Sequence, residues 1–278
     1  MTGGARLPAA RIGPDGKFPR GDLHTGVDAE SGAGTSIFDP VLCECIYTWF
    51  SPSGGKVLDP FAGGSVRGIV AQWLQRDYTG IELRPEQVEA NKQQAREIGV
   101  SPLWIVGDAV NVKVLVPGEY DLLFSCPPYY DLEVYSDLDG ELSALPAYAD
   151  FLAQYRQIVA DALGLLKDNR FACFVVGDVR DKRGHYRNFV SDTIAAFQDG
   201  GAVLYNEAIL VTAVGSLPIR VGRQFSAGRK LGKTHQNVLV FVKGDWRKAV
   251  EACGPVEVGD LTDERLTGMG LEARVAES

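Results

Sequence analysis

The chain has 278 residues, 45% hydrophobic and 23% charged, enough for one sizeable core but short for two. Its net charge of −8 argues against a polyanionic partner for the surface as a whole. No apolar run reaches membrane-spanning length and the N-terminus lacks the apolar centre of a signal peptide, so a cytoplasmic protein off the membrane is expected.

Residues 1–35, rich in Gly, Pro, Ala and charge, read as a flexible N-terminal arm. One domain is expected over 36–248, followed by a polar tail, 249–278, with a weak helix near Asp263–Leu266. Within the domain, KVLDPF (56–61), YTGIEL (78–83), LWIV (103–106) and YDLLFS (120–125) read as buried strands. FACFVVG (171–177), AVLYNEAILV (202–211) and QNVLVFVKG (236–244) follow. Helices are predicted from Pro85 to Gly99, from about Pro146 to Lys167, and from about Phe189 to Gln198. Strand alternating with helix predicts an α/β fold, a doubly wound and mostly parallel sheet between two helical layers. The last two strands are separated by a basic stretch, 212–235, read as a loop, so the final strand can run antiparallel at or near an edge.

Five cysteines (Cys43, Cys45, Cys126, Cys173, Cys253) lack zinc-like spacing, which points to buried thiols in a reducing compartment and to no metal. Positive charge is gathered locally. Arg220, Arg223, Arg229, Lys230 and Lys233 stand with no acid among them between Ser216 and Lys233, and Arg180, Lys182, Arg183 and Arg187 stand against Asp181. Such faces can bind a polyanion in an acidic protein, because salt screens charges beyond about 10 Å.

Ligands of doubly wound sheets sit beyond the carboxyl ends of the strands. Three of those ends carry acids. The first reads Asp59-Pro60-Phe61-Ala62-Gly63-Gly64-Ser65, where glycines let the backbone approach a ligand and open a helix with unpaired N–H groups. The second ends at Glu82, placed to accept from ribose hydroxyls, and the third is followed by Asp108, which can accept from an adenine amino group. The dinucleotide fingerprint GxGxxG is absent, which argues against NAD.

The fourth strand ends in Ser125-Cys126-Pro127-Pro128-Tyr129-Tyr130. Together with DPFAGGS upstream, this resembles the two signature motifs of the amino-directed (N6-adenine or N4-cytosine) DNA methyltransferases. Ser36–Pro40 resembles that family's additional cofactor segment, so Phe38, Asp39 and Pro40 join Asp59, Phe61, Gly63, Gly64, Ser65, Glu82, Asp108 and Ser125 as candidate cofactor residues. The resemblance covers about 36–244 and departs from the family pattern twice: the loop reads FAGGS, and Cys126 stands where the family has Asp, Asn or Ser. It implies a class I, Rossmann-like methyltransferase sheet of seven strands with a reversed last strand, S-adenosylmethionine as cofactor, and DNA as partner, with RNA as the alternative. It further implies that Cys126, Pro127, Pro128 and Tyr129 are catalytic and that the target base is flipped out of a duplex. Target recognition then falls to 131–145 and 212–235, with Arg220, Arg223, Arg229, Lys230 and Lys233 on the nucleic acid. Three other readings stay open: an RNA amino-methyltransferase, a C5-pyrimidine methyltransferase with Cys126 as nucleophile, and a catalytically silent binding subunit.

Overall fold

The computed structural model describes residues 38–130, 136, 138–211 and 217–256. Seven strands form one sheet in the order β3-β2-β1-β4-β5-β7-β6. They are β1 (Lys56–Asp59), β2 (Asp77–Glu82), β3 (Leu103–Val106), β4 (Tyr120–Ser125), β5 (Leu166–Val176), β6 (Ala202–Val211) and β7 (His235–Lys243). The first five are parallel, while β7 runs antiparallel to both β5 and β6. The expected reversed last strand is present, one place in from the edge. The sequence winds outward from β1 to β3 and then restarts at β4 beside β1. The carboxyl ends of β1 and β4 therefore flank the topological switch point, where such sheets open a crevice.

Two apolar layers cover the sheet. On one face lie α1 (Pro40–Phe50), α2 (Val66–Trp73), α3 (Pro85–Ile98) and α8 (Trp246–Cys253), packed through Tyr47, Ile69, Val88 and Ala249. On the other lie α4 (Val112–Leu115), α5 (Tyr148–Leu165) and α6 (Phe189–Asp199), packed through Val112, Phe151, Ile158 and Phe197. α5 buries Phe151, Tyr155, Ile158, Val159 and Ala162, a set spaced at three and four residues as one helical face requires. α3 opens on Pro85 and stops at Gly99, whose left-handed conformation returns its N–H to Ala95 and Arg96. All six residues of β4 are buried, including Asp121, whose Oδ1 accepts from Lys167 Nζ at 2.8 Å and Arg170 Nε at 3.0 Å, while Oδ2 accepts the Lys56 amide at 3.0 Å.

Three elements depart from the sequence reading. The stretch between β6 and β7 is not all loop, because α7 spans Leu217–Gly228. Although Gly222 and Gly228 lie within it, Leu217, Val221 and Phe225 recur every four residues and Pro218 sits in the first turn, where its missing N–H costs nothing. α1 was hidden behind the motif that precedes it, and Asp39 caps it by accepting from the amides of Val41 and Leu42. α8 carries the packed chain past residue 248, starting from the Asp245 cap. The arm 1–35, the helix near Asp263–Leu266 and most of the first half of the 131–145 insert lie outside the described residues. All five cysteines are free thiols; Cys43 and Cys173 are fully buried and the others half-buried.

Candidate active site at the switch point

The glycine loop is held from three sides. Gly63 adopts φ +52° with open space where a side chain would stand, a conformation and a vacancy that suit glycine facing a ligand. Its N–H donates to Glu82 Oε2 at 2.9 Å, and its carbonyl accepts from Asn91 Nδ2 at 2.7 Å. Asn91 is fully buried on α3 and in turn accepts from Gln87 at 2.9 Å. Glu82 Oε1 accepts from both the amide and Nε of Arg84 at 3.0 Å. Ser65 donates to Gln94 at 2.5 Å.

Beneath the loop lies a buried ionic centre. Asp59 is fully buried, and Oδ2 accepts from Arg67 Nε at 2.6 Å and from the Tyr78 hydroxyl at 2.8 Å. Oδ1 accepts from the Ser125 hydroxyl at 2.5 Å and the Phe61 amide at 3.1 Å. Arg67 also donates to the carbonyls of Phe61 and Ala62, at 2.6 and 2.9 Å. Burial alone would lower the Arg67 pKa, but Asp59 outweighs it and keeps the guanidinium charged; burial likewise holds the Tyr78 phenol well above its ordinary value. The Asp59–Ser125 bond crosses the switch point and ties the glycine loop to the end of β4. Phe38 covers this centre, with the Arg67 guanidinium 4.6 Å from its ring centre and Phe124 edge-on beneath at 5.8 Å.

The catalytic candidates follow directly. Pro127 is buried, and Cys126, Pro128 and Tyr129 are half-buried. Cys126 Sγ lies 3.7 Å from the Tyr129 hydroxyl. That hydroxyl also accepts from Gln236 Nε2 at 2.7 Å and donates to the Val175 carbonyl at 3.3 Å. The Tyr129 ring is thus held against β5 and β7, with Phe189 of α6 at 5.9 Å. An aromatic column on α5 continues the support. Phe61 stacks on Tyr155 at 6.2 Å, Tyr155 on Phe151 at 5.9 Å, and Phe151 on Tyr148 at 5.8 Å.

Of the sequence-predicted residues, Phe61, Gly63, Gly64, Ser65, Glu82, Ser125 and the Cys126–Tyr129 tetrapeptide meet around the switch point. Asp59 lies below the loop with both oxygens engaged within the chain. Asp108, half-buried, caps the turn after β3 by accepting the Val110 amide at 3.0 Å, and Gly140 of the insert lies so close that an added Cβ would come within 2.5 Å of Oδ2. Asp39 spends its carboxylate on the start of α1, with Pro40 in that helix's first turn. Arg223 and Arg229 are exposed and Lys230 and Lys233 half-buried; the Arg220 side chain lies outside the described residues. Sequence reasoning missed Arg67, Asn91 and Gln236. Arg67 falls in the first turn of the helix after the glycine loop, the one position of the three with a local signal.

No protein-family model matches the chain. The chain is 32% identical over 87 residues to the Type II methyltransferase M.SmaI of Serratia marcescens, a match covering 31% of this chain and 30% of that protein. It is 46% identical over 59 residues to the Type II methyltransferase M.XycI of Xanthomonas campestris pv. cyanopsidis, covering 21% of this chain and 19% of that protein. The matches thus span less than a third of these curated relatives' length. A solved structure from Galdieria sulphuraria, described as a sarcosine dimethylglycine methyltransferase, superposes with a TM-score of 0.51 at 13% identity, over 74% of this chain and 84% of that one. That likeness shows the fold.

Proposed function

From a chain that has the class I methyltransferase fold, we propose an enzyme that moves a methyl group from S-adenosylmethionine to an exocyclic amino group of a base, N6 of adenine or N4 of cytosine, in DNA. The observation that carries this reading is the Asp59–Ser125 bond at 2.5 Å, which joins the glycine loop and the Cys126–Tyr129 strand end into one crevice at the switch point. The residues present fit the cofactor: Gly63 and Gly64 have open space at their Cα atoms, and Glu82 stands at the loop with a carboxylate that can accept from ribose hydroxyls. The bound cofactor supplies a methyl group already activated by its sulfonium.

The protein's own residues then have three tasks. Tyr129 offers a ring on which the base stacks, an interaction worth about 1–3 kcal/mol per base in single-strand binders. The Pro127 carbonyl accepts from the amino hydrogens and draws the delocalised nitrogen lone pair toward tetrahedral geometry. Cys126 lines the same pocket, but a thiol is a weak acceptor, so the carbonyl carries most of this work. The remaining contribution is alignment. Positive charge on α7 and after it supports a nucleic-acid substrate.

The decisive experiment incubates the protein with isotope-labelled S-adenosylmethionine and mixed-sequence DNA or RNA, then identifies methylated nucleosides by mass spectrometry. Label in N6-methyl-2′-deoxyadenosine or N4-methyl-2′-deoxycytidine from the DNA is the expected result. Label only in RNA, or at C5 of a pyrimidine, overturns it.

A further inference from the structure

Two basic segments far apart in sequence meet beside the catalytic strand end. After β5 the chain makes a short hairpin in which Arg180 bridges Tyr186, and the Arg187 amide returns to the Val179 carbonyl at 2.9 Å. Gly184 turns the hairpin at φ +90°, and Lys230, from beyond α7, lies over it so closely that a Cβ at Gly184 would come within 2.6 Å of Nζ. Lys233 Nζ sits 5.9 Å from the Tyr186 ring centre, and the Arg180 guanidinium 3.9 Å from it on the hairpin itself.

Between this hairpin and the residue after the tetrapeptide lies an open cleft of about 290 Å³. Its walls include Tyr130, Tyr148, Lys182, Arg183 and Arg187. The Arg187 guanidinium packs over the rings of Tyr130 and Tyr148, at 4.6 and 5.2 Å, so its planar fork is held in a fixed orientation. Tyr130 itself is 5% exposed and is fixed by its hydroxyl on the Pro146 carbonyl at 3.2 Å. The one acid in the wall, Asp181, is spent on the turn. Its Oδ1 accepts the His185 and Arg183 amides, each at 2.9 Å, and these bonds, His185 first, hold its carboxyl below the usual range. Asp192 on α6 is likewise engaged, by the Tyr148 hydroxyl at 2.7 Å. In a chain of net charge −8, a cationic cleft walled by aromatic rings is matched to an anion with planar neighbours.

We propose that this cleft is a subsite for the nucleic-acid backbone, seating the phosphodiester that flanks the nucleotide held at Tyr129. The inference rests on the nucleic-acid reading above. It adds the place where the strand leaves the pocket and gives the hairpin a role that the cofactor chemistry does not use.

The test is Lys182→Ala/Arg183→Ala, two exposed positions whose loss leaves the core untouched. A second double variant, Arg247→Ala/Lys248→Ala on α8, removes the same charge from exposed sites on the opposite side of the sheet. Binding of labelled mixed-sequence duplex DNA, and of single-stranded DNA and RNA of the same sequence, is followed across a salt series. Each duplex phosphate contact contributes about 0.9 to the slope of log K against log salt, and each single-strand contact about 0.7. The cleft variant is expected to lose about 0.9 units on duplex, the share of one phosphate, while the α8 variant keeps the wild-type slope and both keep wild-type cofactor affinity. Equal slopes in cleft variant and wild type overturn the subsite while leaving the methyltransferase reading intact. Equal losses in both variants also overturn it, since charge anywhere on the surface would then do the same. A wild type that binds none of the three probes overturns subsite and nucleic-acid reading together. A slope lost only in the cleft variant, with no methyl transfer to any probe, supports the subsite and sinks the proposed reaction.

Discussion

The Glu82 carboxylate offers about four acceptor sites, and three are filled within the chain by the Gly63 amide, the Arg84 amide and Arg84 Nε. A ribose presenting two hydroxyls takes the fourth and displaces one donor, and Arg84 Nε is the only donor of the three that is not backbone. Hydrogen bonds to a charged group are worth about 1.5–3 kcal/mol each. With one bond gained net, Glu82→Ala should raise the Kd for S-adenosylmethionine by roughly 10- to 150-fold, measured by calorimetry; unchanged affinity removes Glu82 from the site. The tetrapeptide gives a second comparison. Tyr129→Ala removes the stacking ring and should slow single-turnover methyl transfer by about one to two orders of magnitude. Cys126→Ser should keep most of the rate or raise it, because a hydroxyl accepts better than a thiol. A covalent mechanism through Cys126 reverses that order and leaves a protein–nucleic acid adduct. Glycines, acids at strand ends and the tetrapeptide were legible in the sequence because each is a local signal at a strand terminus. Arg67, Asn91 and Gln236 were not, because their roles come from partners brought close only by folding: Gln236 reaches Tyr129 from the far end of the chain.

Among the elements, β4 carries the most exacting charge. Burial would raise the Asp121 pKa, but Lys167, the Lys56 amide and Arg170 outweigh it and hold the carboxyl below its ordinary value. A carboxyl depressed in the folded state contributes stability above its unfolded pKa of about 3.9 and loses it as pH falls through the folded value. Asp121→Asn should then cost about 1–3 kcal/mol at neutral pH, and the gap to wild type should narrow below about pH 4. Urea unfolding at pH 7 and pH 3 checks this, and a gap of equal size at both would assign the loss to packing. The strands and α3, α5 and α6 were readable because the apolar period agrees with each element, and for α3 because Pro85 and Gly99 also bound it. α7 was not, since its stretch reads as a basic loop despite a four-residue apolar repeat, and α8 was cut by a domain boundary placed at 248 although Asp245 marks its start.

Across the whole molecule, charge is divided rather than averaged. The net value of −8 hides a cationic zone where the hairpin after β5 meets Lys230 and Lys233, on the side of the sheet that bears α5 and α6. The fold class was legible because alternating strands and helices leave few topologies; the reversed strand was implied by the family resemblance and not by chain length, since the stretch between β6 and β7 is long enough to hold α7. The position of β7 between β5 and β6 was not legible, since strand order depends on which edges remain open. That position governs how the chain can mature. β5 pairs with β7 along Arg170–Val176, and Phe241 stacks on Phe197 of α6 at 4.0 Å. As the polypeptide leaves the ribosome, β5 and β6 are both complete before their common neighbour exists. Each waits with an open hydrogen-bonding edge, the kind of surface on which nascent chains aggregate. Synthesis of His235–Lys243 closes both edges at once, so the assembly behaves like an arch whose keystone is set last, and release before that point leaves a five-stranded sheet and a stranded β6 rather than a smaller enzyme.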